Sequence, residues 1–508
     1  MRRAKTGRNN RAIASSADAS ERMRLKLDRQ SRIPFYRQIY QRFRDAIAQG
    51  ILRPGERLPS SRSLASQLST SRGTIDLAYS LLSVEGLVVG QGAAGTAVAR
   101  AAGALKSPER SLGAPKPKRW AEPPAAEAFA FKPFQMGLPA LDAFPRKLWS
   151  RLAIRHARAI EVHELSAPSA AGYDPLRAAV RSYLAVSRGL LCSTEQVIIT
   201  SGFQAALGMI TRAFLKPDDE VWFEDPGYFK ARLGLEAAGA RLVPVPVDNQ
   251  GLDVSAAIAR SAEARFAYVT PSHQAPLGVA LSPQRRLDLL SWAASADAWI
   301  IEDDYDSEFR YGSPPLPALK SLDEAGRVIY VGTFSKVLFP GLRLGYLVVP
   351  ESEIDRLGRI CQLLYLDRPI FNQTVTADFM TEGHFARHVR RMRALYSERR
   401  TALAAALAEV FDGQMSVQLQ AGGMHLLARV AGCNNDCDLV ARANASGLAP
   451  AALSPWVIEC EDRQGLLLSF TNIPAEAAVG MAIALKQVID GDGAVNRQVA
   501  WPRCGKRR

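Results

Sequence analysis

The segment Thr333-Phe334-Ser335-Lys336 follows an apolar run and offers an amine able to condense with an aldehyde. Ile300-Ile301-Glu302-Asp303-Asp304-Tyr305 places a carboxylate directly after another such run, and Gly341-Leu342-Arg343 adds a cation. Ser201-Gly202-Phe203-Gln204, at an expected strand-to-helix junction, presents backbone N–H groups of the kind that hold a phosphate. A pyridoxal cofactor requires these three things: an amine for its aldehyde, an acid opposite its ring nitrogen so that the ring withdraws electrons, and donors for its phosphate. Lys336, Asp303, and Ser335 with Arg343 meet those needs in order. A Ser-Lys pair or an Asp after a strand is common by itself, so the ordered combination carries the reading.

A second constellation lies near the N-terminus, where Leu58-Pro59-Ser60-Ser61-Arg62 is followed by Ser71-Arg72-Gly73-Thr74. Ser60-Ser61 supplies a cap for a short helix whose Leu64 and Leu68 share a face, and Ser71 caps the next, whose Ile75, Tyr79 and Leu82 face inward. The first turn of that helix exposes Arg72, Gly73 and Thr74. Two short helices joined by a tight turn match a helix-turn-helix, in which the start of the second helix enters the major groove. A helical-hairpin structural domain is the alternative on spacing alone.

The elements that position these groups follow from periodicity. Tyr36, Ile39, Tyr40, Phe43 and Ile47 recur at helical spacing before Gln49-Gly50, giving a first helix. Leu87-Val88-Val89, a turn through Gly90, Gly92 and Gly95, and Thr96-Ala97-Val98 read as a hairpin wing. From about residue 140, short apolar runs alternate with helical stretches. The clearest strands are Gln196–Thr200, Val221–Glu224, Phe266–Thr270, Trp299–Ile301, Val328–Val331 and Leu344–Val349. Such alternation predicts an α/β domain with a mainly parallel sheet, whose ligands collect at the carboxyl ends of the strands.

Length and charge set the frame. With 508 residues, 47% of them hydrophobic, the chain is expected to form more than one domain. Its net charge of +14 is uneven: +6 over residues 1–30, +4 over 31–99, +3 over 100–130 and +4 over 491–508, against −3 over 131–490. Basic charge gathered at the N-terminal end fits a nucleic-acid partner, although 1–30 also reads as a merely solvated tail. Residues 100–130, rich in Ala, Pro, Lys and Arg, read as a linker. The absence of a long apolar run or signal-peptide core predicts a cytoplasmic protein with no membrane contact, and the scattered cysteines predict reduced thiols. His384 and His388 lack a third ligand, so no metal site is expected.

On the residues quoted, 31–99 resembles the DNA-binding domain of the GntR family. That resemblance implies that Arg62, Ser71, Arg72, Gly73 and Thr74 contact operator DNA. The wing Gln91-Gly92-Ala93-Ala94-Gly95 lacks the basic residue often found there. Residues 131–490 resemble the fold type I aminotransferases through Glu224-Asp225-Pro226-Gly227-Tyr228, Thr270-Pro271-Ser272-His273-Gln274, Glu302 to Phe309, and Gly332 to Lys336. Together the two parts resemble the MocR subfamily of GntR regulators. The resemblance implies a mainly parallel sheet and a small C-terminal α+β subdomain. It also implies pyridoxal 5′-phosphate (PLP) held as an aldimine on Lys336, with Asp303 at the ring nitrogen, Tyr305 at the ring hydroxyl, Tyr228 beside the ring, and Arg343 on the phosphate or a ligand carboxylate. Ser335 and the Ser201, Gly202 and Phe203 turn complete the phosphate side. A homodimer is implied as well.

Two departures qualify that picture. The Asn-Pro-x-Gly turn of aminotransferases is here Gln274-Ala275-Pro276-Leu277-Gly278, which leaves Gln274 for the ring-hydroxyl contact. Leu466-Leu467-Leu468-Ser469-Phe470 stands where many aminotransferases carry an Arg before Ser-Phe, and Leu468 makes no salt bridge, so Arg232 or Arg463 would have to approach an α-carboxylate from elsewhere. These features favour a DNA-binding regulator that senses an amine, an amino acid or PLP itself at Lys336. Two alternatives stay open: a working PLP-dependent aminotransferase with a DNA anchor, with Lys336 catalytic, and a domain in which PLP is only structural.

Overall fold

Ser60 and Ser71 each begin a helix by accepting a backbone N–H with the side-chain oxygen, from Ser63 at 3.1 Å and from Thr74 at 3.2 Å. In this computed structural model the described residues are 26–31, 33–92, 95–100, 131–162, 169–312, 316–364, 369–459 and 463–491. They fall into two compact units, one on each side of the Ala125–Ala126 bond. Ala93 and Ala94 of the wing, the linker over 101–130, the tail over 492–508 and the basic extension up to residue 25 lie outside the described residues.

In the first unit, helices α1 (Phe35–Ala48), α2 (Ser61–Gln67) and α3 (Arg72–Val84) enclose a core of Ile39, Phe43, Leu64, Ile75, Tyr79 and Leu82. Phe43 and Tyr79 meet edge to face at 5.5 Å, and the Tyr79 hydroxyl donates to the Pro59 carbonyl at 2.9 Å, fixing the entry to α2 against α3. Strands β1 (Val88–Gly90) and β2 (Thr96–Val98) pair antiparallel as the expected hairpin. Residues 55–58 join its other side: Leu58 N–H donates to Thr96 O at 2.8 Å and Val98 N–H to Glu56 O at 2.8 Å. The wing is therefore braced to the turn before α2.

The second unit contains β3 (Val197–Thr200), β4 (Glu220–Asp225), β5 (Arg241–Asp248), β6 (Gly251–Leu252), β7 (Phe266–Val269), β8 (Trp299–Asp304), β9 (Val328–Thr333) and β10 (Gly345–Val348). They form one sheet in the order β3-β10-β9-β8-β7-β4-β5-β6. The β5-β4-β7-β8-β9 run is parallel, β10 is antiparallel to both neighbours, and β6 turns back on β5. Its central strands are buried on both faces, which is why they read as continuous apolar runs. A second sheet, β11-β12-β14-β13, is antiparallel throughout, formed by Met415–Gln418, His425–Val430, Leu466–Ser469 and Ala451–Ala452. With helices α4 (His384–Phe411) and α5 (Ala478–Asp490) against it, this is the α+β subdomain.

Strand β5, Arg-Leu-Val-Pro-Val-Pro-Val-Asp, is not among the strands expected from sequence because it holds two prolines. Their carbonyls accept from the outer edge, Pro244 from Arg260 Nη1 at 2.6 Å and Pro246 from Asp253 N–H at 3.0 Å. A strand residue's N–H and C=O point the same way, so the missing N–H groups fall on the side away from β4.

Candidate functional site

Lys336 lies three residues past the end of β9, and its Nζ donates to the Gly137 carbonyl at 3.1 Å. Gly137 has φ +80°, a backbone that favours glycine, and a Cβ there would stand 2.5 Å from Nζ, so a side chain would push the amine out of this position. Burial pushes the Lys336 ammonium below the usual lysine range; Asp306 and Asp303 pull against this, and Lys230 adds to it.

Asp303, at the carboxyl end of β8, is buried and accepts from the Tyr268 hydroxyl at 2.6 Å. Phe223 stacks on the Tyr268 ring at 5.3 Å, so the carboxylate is held from β7 and, behind it, from β4. Burial pushes Asp303 up to about 7, with the Tyr268 bond opposing. Such a carboxyl is ready to give up its proton when a cation is placed beside it.

Tyr228 follows β4 and packs against Phe203 at 5.6 Å and Trp456 at 5.8 Å. The Tyr305 hydroxyl lies 2.9 Å from His273 Nδ1, which is also 3.1 Å from the buried Asp306 carboxylate. His273 in turn is backed by Gly423, where a Cβ would stand 2.1 Å from its ring.

Strand register brings the phosphate-side residues together. Gly345 at the start of β10 pairs with Thr333 of β9 on one side and Thr200 of β3 on the other. A Cβ on Gly345 would stand 2.9 Å from Gly332 O, 3.1 Å from Thr200 Oγ1 and 3.2 Å from Gly202 Cα. The Ser201-Gly202-Phe203 turn, which opens the helix Phe203–Phe214, and the Thr333-to-Lys336 segment therefore converge on one point, with Arg343 two residues upstream of it. Ser201 Oγ is buried and has no hydrogen-bond partner. Gly202 has φ +100°, Ser335 N–H donates to Thr333 Oγ1 at 3.1 Å, and Arg343 is exposed with φ +53°. An orphaned buried hydroxyl, a helix start and a buried amine are the kinds of group that suit the phosphate and aldehyde ends of PLP.

Two expectations change. Gln274 is committed inside its own turn: its Nε2 donates to Pro226 O at 2.7 Å, Ala275 O at 2.9 Å and Glu224 Oε2 at 3.2 Å, and its Oε1 accepts from Leu277 N–H at 2.9 Å. Its amide has no donor left for a ring hydroxyl. In β14 the residue on the side of Tyr228 and Tyr305 is Leu467, while Leu468 packs into the core with Leu426 and Phe470, because successive strand side chains alternate.

Motif and spacing alone assign no role to Tyr268, Asp306, His273 or Glu224. Glu224 accepts from Thr270 N–H at 3.1 Å, Thr270 Oγ1 at 2.6 Å and Gln274, and burial pushes it up to about 7. Asp225 accepts from the N–H groups of Ile458 and Glu459, both at 2.8 Å. Polar residues inside otherwise apolar strands are the signal that points to them.

In the first unit, Arg62, Ser71, Arg72 and Gly73 are exposed and Thr74 is half-buried. Ser71 Oγ lies 2.8 Å from Thr74 Oγ1, and Arg72 reaches Asp76 at 3.5 Å. Among the described residues no helix is long and apolar enough to cross a membrane.

Comparison with known proteins agrees with both halves. Residues 35–98 match the bacterial regulatory proteins of the gntR family, and residues 153–441 match aminotransferase class I and II. The chain is 38% identical to the probable rhizopine catabolism regulatory protein MocR of Rhizobium meliloti, over 88% of this chain and 92% of that one. It is 34% identical to the pyridoxine biosynthesis transcriptional regulator PdxR of Corynebacterium glutamicum, over 82% and 88%. Among solved structures, the α-aminoadipate aminotransferase LysN of Thermus thermophilus, complexed with N-(5′-phosphopyridoxyl)-L-leucine, superposes with a TM-score of 0.65 at 30% identity, covering 70% of this chain and 92% of LysN.

Proposed function

Since the chain belongs to the MocR-type GntR transcription regulators, with a helix-turn-helix unit and an aminotransferase-like unit, we propose that it binds operator DNA and reports on a small amine or amino acid taken at a PLP group on Lys336. The observation that carries this reading is the enclosed Lys336 amine at the carboxyl end of the sheet, with the Tyr268-supported Asp303 beside it. When bound, PLP supplies an aldehyde that combines reversibly with primary amines and a ring that withdraws electrons.

The residues divide the remaining work. Burial keeps the Lys336 nitrogen in its uncharged, nucleophilic form at lower pH than a free lysine, and the Gly137 carbonyl orients it. Asp303 holds a negative charge for the ring nitrogen. The ring hydroxyl falls to Tyr305, steadied by His273, and the phosphate to Ser201 Oγ, the N–H groups of Gly202 and Phe203, Ser335 and Arg343. On the DNA side, Arg62 and Arg72 supply cations at the start of adjacent helices, and Ser71, Gly73 and Thr74 allow close approach to the backbone. A homodimer in the cytoplasm is part of the same reading.

The test joins both units. Purified protein given PLP is expected to absorb visibly, to lose that absorption in Lys336→Ala, and to retain PLP mass on the Lys336 peptide after borohydride reduction. Footprinting of the intergenic DNA upstream of its own gene is expected to show protection that an added amine alters and that Arg72→Ala weakens. Protection indifferent to Lys336→Ala and to every amine would sink the sensor reading. Because Lys336 and Asp303 are both retained, turnover is the second reading; steady transfer of an amino group to a keto acid, lost in Lys336→Ala, would favour it.

A further inference from the structure

One wall of the candidate site comes from the small sheet, and it is apolar. Leu467 of β14 turns toward Leu427, Leu453 and Trp456, a group with Met136, Tyr228 and Tyr305 at its margin. Met136, at the margin of this group, directly precedes Gly137, whose carbonyl takes the Lys336 amine. Leu467 itself is fully buried.

Several carboxyl groups stand near this wall, of which Asp304 is paired with the buried Arg188 at 2.7 Å. Asp306, Asp303, Glu224 and Asp304 all act on the Tyr305 phenol and raise it, in addition to burial. On the Lys336 amine the cation that acts is Lys230. His425 is pushed down to about 4 by burial and is neutral, its Nε2 lying 2.9 Å from Pro276 O. Arg232 and Arg463 are committed to backbone carbonyls: Arg232 donates to Val457 O at 3.3 Å and Pro455 O at 3.2 Å, and Arg463 to Val247 O at 2.9 Å.

A carboxylate brought onto such a wall loses its hydration and meets leucine where it needs a paired donor. An uncharged substituent on the same carbon meets no such cost. We infer that the ligand taken at Lys336 is a primary amine with no carboxylate on its amine-bearing carbon, and that Leu467 sets this preference. The inference rests on the assignment of PLP to Lys336 made above and narrows its ligand from amines and amino acids to one class.

The experiment uses full-length PLP-loaded protein and matched pairs: phenethylamine against L-phenylalanine, and isobutylamine against L-valine, each titrated while the visible spectrum is read. In each pair the amine is expected to change the spectrum at a concentration at least about tenfold below the amino acid, a selectivity within reach of one unpaired charge. Leu467→Arg is expected to reverse the order within each pair. Amino acids binding as tightly as their amines in the wild-type protein, or silence of both members of every pair, overturns the inference. Should Leu467→Arg fail to fold, the wild-type ratios decide alone. Failure of the underlying assignment is distinguishable, because protein that takes up no PLP gives no visible band before any ligand is added.

Discussion

Gly137 contributes a carbonyl to Lys336 and, by having no side chain, the space for its amine. Gly137→Ala places a methyl group 2.5 Å from Nζ in a backbone that already favours glycine. PLP uptake, followed by absorption, is expected to weaken by about tenfold or more while far-ultraviolet circular dichroism is unchanged; an overpacked contact of about 1–3 kcal/mol has that effect. Glu224 gives a pH signature. Its carboxyl rises from the usual 4.5 to about 7 in the folded chain through burial. Between those values the folded protein keeps a proton that the unfolded chain has lost, so stability is greatest below about pH 4.5 from this group and declines as pH rises toward 7. Glu224→Gln is expected to remove about 3 kcal/mol of that decline, read as a flatter dependence of Tm on pH in cofactor-free protein. At this scale Lys336, Asp303 and Tyr305 are legible in the sequence, because each sits within a few residues of a strand end. Gln274 is not, because its partners Pro226 and Glu224 are about fifty positions away and only the fold brings them near.

Helix starts and strand faces are where the sequence is most and least informative. The serine caps of α2 and α3 are legible, since capping is a bond between residues three apart. They also separate stability from recognition. Ser60→Ala removes a cap worth about 1 kcal/mol at a residue outside the expected DNA contacts and is expected to lower the unfolding midpoint of the first unit. Arg72→Ala, exposed and bridged only to Asp76, is expected to leave that midpoint unchanged and to reduce the salt slope of DNA binding by about 1, measured by titration at several ionic strengths. The central strands are legible from their unbroken apolar runs, whereas β5 is hidden by prolines that only an outer edge tolerates. Which face of Leu466-Leu467-Leu468 meets the site is not legible, because three identical residues carry no alternation for periodicity to detect.

Across the whole molecule, the basic excess lies outside 131–490, toward both ends of the chain, and the described residues bear separate cores in the two units. Calorimetry of the full chain is therefore expected to resolve two transitions, and PLP at a hundred times its Kd to raise only the one belonging to the larger unit, through about 2.7 kcal/mol of linkage. A single transition that PLP shifts whole would show that the cores unfold together. The junction of the two sheets is beyond sequence reading, because it depends on Asp225 at the end of β4 holding the amides of Ile458 and Glu459, more than two hundred residues away. Those two amides are consequently a clock for the joint between the sheets. Any rearrangement of the small sheet that parts it from β4 must release them to solvent, so their deuterium uptake times that motion with no dye, no DNA and no coloured cofactor required.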